Sequence, residues 1–125
     1  MPQDLLVTTR RILTSRSPVV EAQIKAFVEA IAYLRDAKNK TSVKRSIVSN
    51  MRLNDETVIE ETYQTVLQSY ERAPYPNLDG MKQLQGLLAT VNSKRKDLKV
   101  ETIVDGGFIS KLESSGFIKN LYTKP

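Results

Sequence analysis

Apolar side chains recur every three or four residues along much of the chain, which is the spacing that places them on one face of an α-helix. The longest such segment covers residues 18–36, and its apolar positions follow one another at intervals of four, three, four and three. These positions are Val20, Ile24, Phe27, Ile31 and Leu34. The pattern predicts a long amphipathic helix that buries Phe27 and Ile31 near its centre.

Three further segments have the same periodicity. Residues 41–52 predict a short helix with Thr41 as its cap, and residues 79–91 predict another after a proline-rich connection. Between them, Asn54 or Asp55 can cap a helix that continues to residue 70. Besides Phe27 and Ile31, the side chains predicted to be buried are Tyr63, Val66, Leu84 and Leu88.

The last quarter of the chain contains one more helix signal. Asp105 can cap a short helix over residues 107–114, and Gly116 follows where a left-handed residue ends many helices. Residues 117–122 form an apolar tail, while residues 98–104 alternate too briefly to specify an element and are predicted to be a loop.

The start of the chain differs from the rest. Residues 4–9 read DLLVTT, which predicts one short β-strand, and residues 10–15 predict a single helical turn before Pro18. A lone strand leaves its backbone groups without partners, so it needs a second strand that this sequence does not contain. The sequence therefore predicts a mostly α fold of about five helices with one N-terminal strand, in a single and incomplete domain over residues 1–125.

Composition removes several chemistries. The 125 residues include no Cys and no His, which excludes a thiolate nucleophile, a zinc-finger ligand set and an imidazole base. We therefore expect no enzyme activity, no catalytic residue, no metal and no cofactor. We also expect no membrane span and no signal peptide, because no apolar run of about 20 residues occurs and residues 1–16 lack a basic segment followed by an apolar one.

The net charge of +5 raises the question of nucleic-acid binding. The basic residues fall into three short clusters, near residues 10–16, 38–45 and 94–96. The middle cluster has no interleaved aromatic residue and no recognition-helix pattern, so a solvated basic face explains it better. We expect no nucleic-acid partner.

Several segments, taken in their order along the chain, are similar to segments of a known protein family. They read LLVTTRRIL, SRSPVVEAQIKAFVEAIAYLRD, NMRLNDETVIEETYQTVL, NLDGMKQLQGLL and VDGGFISKLESSGF. This collinear set resembles the last third of the extracytoplasmic solute-binding proteins that serve ABC importers for nitrate, sulfonates, taurine and thiamine precursors. The resemblance covers nearly the whole chain, although helix capping and periodicity alone can also account for each segment.

The resemblance implies the C-terminal part of a type II periplasmic-binding-protein-like α/β fold, with residues 4–9 as the strand that returns to the first lobe. It implies a small solute and an ABC permease as partners of the parent protein, and a periplasmic or cell-surface location. Thr8, Thr9 and Arg10, near that strand, are the candidate ligand-binding residues. The alternative for them is structural, since β-branched residues suit a strand and an arginine at its exit can be solvated.

A stand-alone helical protein-interaction module is the alternative function. An incomplete domain exposes apolar surface, and a second copy of the chain can cover it. We therefore expect a homodimer whose interface includes Leu5, Leu6 and Val7, with the tail over residues 117–122 as the next contributor.

Overall fold

Residues 6–123 are described by a computed structural model, in which seven α-helices are joined by short connections. The helices are α1 (Arg10–Ser15), α2 (Ser17–Arg35), α3 (Lys40–Met51), α4 (Glu56–Ser69), α5 (Leu78–Val91), α6 (Gly107–Ser114) and α7 (Phe117–Tyr122). Single 3₁₀ turns cover Ala37–Asn39, Ser93–Asp97 and Val100–Thr102. The prediction of a mostly helical chain is confirmed, and the count exceeds five because the segments that form α1 and α7 are also helical.

The predicted N-terminal strand is absent. Residues 6–9 have no regular secondary structure, and no residue from 6 to 123 lies in a strand. Asp4 and Leu5, the first two residues of the predicted strand, lie outside the described residues. The physical reason is that a strand is held by backbone hydrogen bonds to a neighbouring strand. Without a sheet in the described chain, the α/β part of the expected fold is not confirmed.

Two of the predicted capping residues, Asp55 and Gly116, act where the sequence placed them, whereas the N-cap of α6 is Gly106 and Asp105 only accepts from the backbone N–H of Gly107 at 2.8 Å. The Asp55 side chain accepts hydrogen bonds from the backbone N–H groups of Thr57 and Val58 at the start of α4. Gly116 has a φ of 80°, the left-handed conformation predicted to end α6. The start of α3 differs, because Asp36 rather than Thr41 caps a 3₁₀ turn that runs directly into the helix at Lys40.

Helices α2, α6 and α7 enclose one of two small hydrophobic cores. Its buried members are Val28, Ile109, Leu112 and Ile118. The Lys111 ammonium group on α6 also donates to the Glu21 carboxylate on α2 over 2.7 Å. Because Ile118 is buried here, the apolar tail belongs to the core of its own chain. The expectation that this tail contributes to a dimer interface stays a prediction, and Ile118 is the tail residue that the chain buries by itself.

The α3–α4 hairpin encloses the second core. Val43, Ile47 and Tyr63 are buried in it, and Leu34 from the end of α2 packs against them. The Arg35 guanidinium donates to the backbone oxygens of Leu67 and Tyr70, at 3.1 and 2.6 Å. These oxygens lie at the end of α4, where carbonyl groups have no partner within the helix. Arg35 therefore fastens α2 to the hairpin.

The predicted core residues divide into three groups. Ile31 and Tyr63 are buried, as predicted, and Val66 and Leu84 are half-buried. Phe27 and Leu88 were predicted to be buried, but Phe27 is 54% exposed and Leu88 is 37% exposed.

Phe27 is exposed because of the way α2 is oriented against its neighbours. Its buried side chains are Val20, Val28 and Ile31, so the helix turns Val28 rather than Phe27 toward α6 and α7. On an α-helix, adjacent residues point about 100° apart, and this choice leaves Phe27 at the edge of the buried face. Periodicity identified the helix, but the positions of α6 and α7 decided which residues it buries.

Leu88 is exposed because of the segments that pack against α5. This helix packs mainly against the 3₁₀ turns that follow it, and its buried residues are Gly80 and Ala89. No helix within residues 6–123 covers the leucine-rich face, so Leu87, Leu88 and Val91 remain exposed. None of the helices in the same range is long and apolar enough to cross a bilayer.

Candidate interaction surfaces

Thr8, Thr9 and Arg10 lie at the N-terminus of α1, and all three are exposed. The Thr9 hydroxyl accepts a hydrogen bond from the backbone N–H of Ile12 at 3.3 Å, so Thr9 is the N-cap of α1. The Arg10 guanidinium donates to the backbone oxygen of Thr102 at 3.1 Å and ties the start of the chain to the turn before α6. Two of the three candidate ligand-binding residues therefore have structural contacts.

Two open concave surfaces lie elsewhere, on the α3–α4 hairpin. The larger is an open groove of about 440 Å³. It is lined by Met51, Val58, Glu61, Thr62, Thr65, Val66, Ser69 and Tyr70. The second is a shallow depression of about 430 Å³ among Glu56, Thr57, Glu60 and Glu61. Neither includes Thr8, Thr9 or Arg10.

The groove beside α4 presents methyl groups more than polar donors. The hydroxyl groups of Thr62, Thr65 and Ser69 each donate to the backbone oxygen four residues earlier, over 2.7 to 2.9 Å. Their protons are therefore engaged within the helix, and the exposed Met51 and Val58 side chains add apolar surface. Such a groove suits an apolar side chain of another segment better than a small polar solute.

A group of charged side chains lies across α3 and α4. The Glu60 carboxylate accepts from the Gln64 amide and the Lys40 ammonium group at 2.9 Å each, and Lys44 pairs with both Glu60 and Glu56. The hydrogen bond from Gln64, followed by those from Lys40 and Lys44, lowers the pKa of Glu60 from 4.5 to about 2. We call these five residues the α3–α4 clasp.

The clasp is suited to holding the hairpin together rather than to catalysis. The hydrogen bond to Glu56 raises the pKa of Lys44, so this ammonium group stays protonated at neutral pH. Glu60 stays ionised, and neither group exchanges a proton near pH 7. No cluster of three or more His, Cys, Asp or Glu residues within residues 6–123 could hold a metal ion.

Helix α2 has apolar residues on its solvent side as well as on its buried side. Val19, Phe27 and Tyr33 are all more than half exposed. Ala22, Ala26 and Ala30 lie between them and are also exposed. The solvent side of α2 therefore offers apolar surface that another protein segment can cover.

A second exposed surface is formed by the end of α5 and the 3₁₀ turn that follows. Leu87 is 56% exposed and Val91 is 87% exposed. The turn contains Lys94, Arg95 and Lys96. The Gln85 side-chain amide donates to the backbone oxygen of Arg95 at 2.8 Å and to that of Lys96 at 3.2 Å. Gln85 thereby holds the basic turn against α5.

No protein family, curated protein or solved structure matches this chain.

The signals in the sequence for three of these surfaces were unequal. The groove beside α4 could not be predicted, because the periodicity of the sequence places Val58, Thr62 and Val66 on one wide face that is expected to be buried. The basic turn was visible as a cluster, but Gln85, its positioning residue, lies nine positions before it. The apolar solvent side of α2 did have a signal, since residues 19, 22, 26, 30 and 33 repeat at helical spacing beside the predicted buried stripe.

Proposed function

We propose that this chain is the C-terminal helical segment of an extracytoplasmic solute-binding protein for an ABC importer, of the kind that takes up nitrate, sulfonates or taurine. The chain supplies part of a binding protein rather than a catalyst. The collinear resemblance of its segments to that family motivates the proposal. The single structural observation that supports it is the exposed apolar surface of α2.

Large apolar side chains are exposed along α2. Val19, Phe27 and Tyr33 are each more than half exposed, although all three lie on a well-formed helix. Contiguous apolar patches on soluble proteins usually mark places where another protein segment binds. In the proposed parent, the sheet and helices of the first lobe cover this face of α2.

The N-terminal segment fits the same proposal. Leu6 and Val7 are exposed and have no regular secondary structure in the chain alone. β-Branched and aliphatic residues favour strands when a neighbouring strand is present. In the proposed parent, this segment is where the chain returns to the first lobe. Thr8, Thr9 and Arg10 would then lie near the cleft, and Arg10 is the group that can bind an anionic head group.

The partners follow from the same proposal. They are a small solute in the cleft between two lobes and the ABC permease that receives it, in the periplasm or at the cell surface. Nucleic acid is not among them.

The test is to read the DNA upstream of the Met1 codon and to express the extended protein. We expect an open frame that encodes a first lobe and a leader, and a product whose melting temperature rises with nitrate, a sulfonate or taurine. An in-frame stop codon immediately upstream, together with no homologous first lobe encoded nearby, would refute the proposal.

The groove beside α4 favours one alternative, a helical protein-interaction module that also forms a homodimer. Its apolar lining is open in the chain alone, and an amphipathic helix is the segment such grooves commonly bind. Val58→Glu would block this groove while leaving α2 and α5 unchanged. A homodimer that dissociates on this substitution, in a chain with no upstream coding region, would favour the module over the solute-binding segment.

A further inference from the structure

The basic turn after α5 combines positive charge with exposed aliphatic side chains. Lys94, Arg95, Lys96 and Lys99 are all exposed, and Asp97 is the only acidic residue among them, which gives residues 94–99 a net charge of +3. Glu101, the next acidic residue, pairs with Lys82 over 2.7 Å. None of the four cations pairs with a carboxylate within residues 6–123, so their charge is available to a partner.

The turn is held in a defined conformation. The Nε2 atom of Gln85 lies 2.8, 3.2 and 2.5 Å from the backbone oxygens of Arg95, Lys96 and Leu98. The Asn92 side chain accepts from the backbone N–H of Lys94 at 3.1 Å. The backbone of the turn therefore faces α5, and its basic side chains extend into solvent.

Aliphatic side chains flank the turn on both sides. Val91 is the last residue of α5 and the most exposed large apolar side chain of the described residues, at 87%. Leu87 lies one helical turn earlier on the same face, and Leu98 follows the turn and is also exposed. Charge and apolar surface thus lie within a few residues of each other.

We propose that Leu87, Val91, Lys94, Arg95, Lys96 and Leu98 form a docking surface for an anionic lipid bilayer. The cations complement the negative charge of lipid headgroups, and their long aliphatic stems extend along apolar surface while the charged ends stay at the headgroups. Val91 and Leu98 enter the boundary between headgroups and acyl chains. Binding of this kind is peripheral and reversible, and it does not depend on the proposed role in solute uptake.

Charge and composition favour a bilayer over a nucleic acid. Residues 78–104 contain no Phe, Tyr or Trp, so the surface offers no ring on which a base can stack. Aliphatic groups such as Val91 and Leu98 gain nothing beside a phosphate backbone, whereas at a bilayer they leave water.

The test is sedimentation of the full chain with vesicles of phosphatidylcholine alone or with one part in three of phosphatidylglycerol, at low and high salt. We expect binding to the anionic vesicles only, and release as salt is raised. The triple variant Lys94→Gln, Arg95→Gln, Lys96→Gln should bind about a hundredfold more weakly, since each basic residue near an anionic surface contributes roughly a fivefold factor. Lys38→Gln, Arg45→Gln, Lys119→Gln is the matched control, because it removes the same charge from exposed positions on other elements.

A second variant tests the apolar part. Val91→Ser with Leu98→Ser keeps every charge and should weaken vesicle binding roughly tenfold. Equal losses in the two triple variants would show a general charge effect and overturn the proposal. So would the absence of vesicle binding by the unaltered chain at low salt, and so would binding to a DNA duplex that survives Val91→Ser, Leu98→Ser while vesicles are not bound.

Discussion

At the scale of single residues, burial separates apolar side chains that the sequence presents as equivalent. Leu112 is 2% exposed in the core formed by α2, α6 and α7, whereas Leu87 is 56% exposed on α5. Both are leucines on the apolar face of an amphipathic helix. The same substitution at the two positions therefore measures how much of each helix face the chain covers by itself.

We expect Leu112→Ala to lower the free energy of unfolding by about 2 to 5 kcal/mol, because it removes a buried side chain and leaves a cavity. Leu87→Ala is the matched control and should change it by no more than about 0.5 kcal/mol, since the side chain is already largely in water. Urea denaturation followed by circular dichroism measures both. Equal losses would mean that Leu87 is covered in solution.

Two glycines provide a second test at this scale. Gly116 has a φ of 80°, and an added Cβ meets only the end of the Asn120 side chain at 4.0 Å, so the cost of Gly116→Ala is conformational and amounts to about 1 kcal/mol. Gly86 lies inside α5 with nothing within 4 Å of an added Cβ, so Gly86→Ala should stabilise by about 0.5 to 1 kcal/mol. Thermal unfolding of the two variants should give shifts of opposite sign. A stabilising Gly116→Ala would contradict the left-handed conformation.

At the scale of elements, the clasp links the two helices of the α3–α4 hairpin. Lys40, Lys44 and Gln64 all donate to Glu60, the acceptor they share. Because the pKa of Glu60 is lowered to about 2 in the folded chain, folding favours its ionised form. Its contribution to stability is complete above pH 4.5 and is lost as the pH falls toward 2.

We expect Glu60→Gln to make stability less dependent on pH between about 4.5 and 2 than in the unaltered chain, because the titrating carboxylate is gone. The melting temperature as a function of pH is the measurement. Glu61→Gln, on the same helix and outside the clasp, is the control and should leave the acid-induced loss of stability largely in place. An unchanged pH profile for Glu60→Gln would show that the clasp does not form in solution.

At the scale of the whole molecule, residues 6–123 form two small hydrophobic cores and leave several large apolar side chains exposed. Val28 and Leu112 belong to one core and Tyr63 to the other, while Phe27 and Tyr33 on α2 remain in water. Water disfavours this exposure, so the chain gains free energy by covering the surface. The proposed parent protein covers it with its first lobe, and the isolated chain has only other copies of itself.

We therefore expect the isolated chain to self-associate as its concentration rises, and Phe27→Gln with Tyr33→Gln to shift it toward the monomer. Light scattering over a range of concentrations measures the average mass. Gln23→Ser, an exposed polar change on the same helix, is the control and should have no effect. If the unaltered chain stays a monomer of 14.1 kDa at every concentration, its apolar surface needs no partner and the proposed function loses its main support.

The candidate surfaces could be predicted only in part. The cluster of Lys94, Arg95 and Lys96 is evident in the sequence, but its fixed conformation depends on the distant Gln85. The groove beside α4 could not be foreseen, because periodicity cannot tell which part of a wide apolar face receives a neighbour. Ligand binding by Thr8, Thr9 and Arg10 stays a prediction, and the contacts that Thr9 and Arg10 make in the structure are with the backbone of the chain itself.

The sequence by itself determined where most helices begin and end. Asp55 caps α4 and Gly116 ends α6 through hydrogen bonds and backbone angles that involve only neighbouring residues, so local chemistry suffices. Only the tertiary structure decided that α2 buries Val28 rather than Phe27, since that choice depends on where α6 and α7 lie. Residues 6–9 form no strand for the same kind of reason, because a strand exists only where another segment of backbone completes its hydrogen bonds.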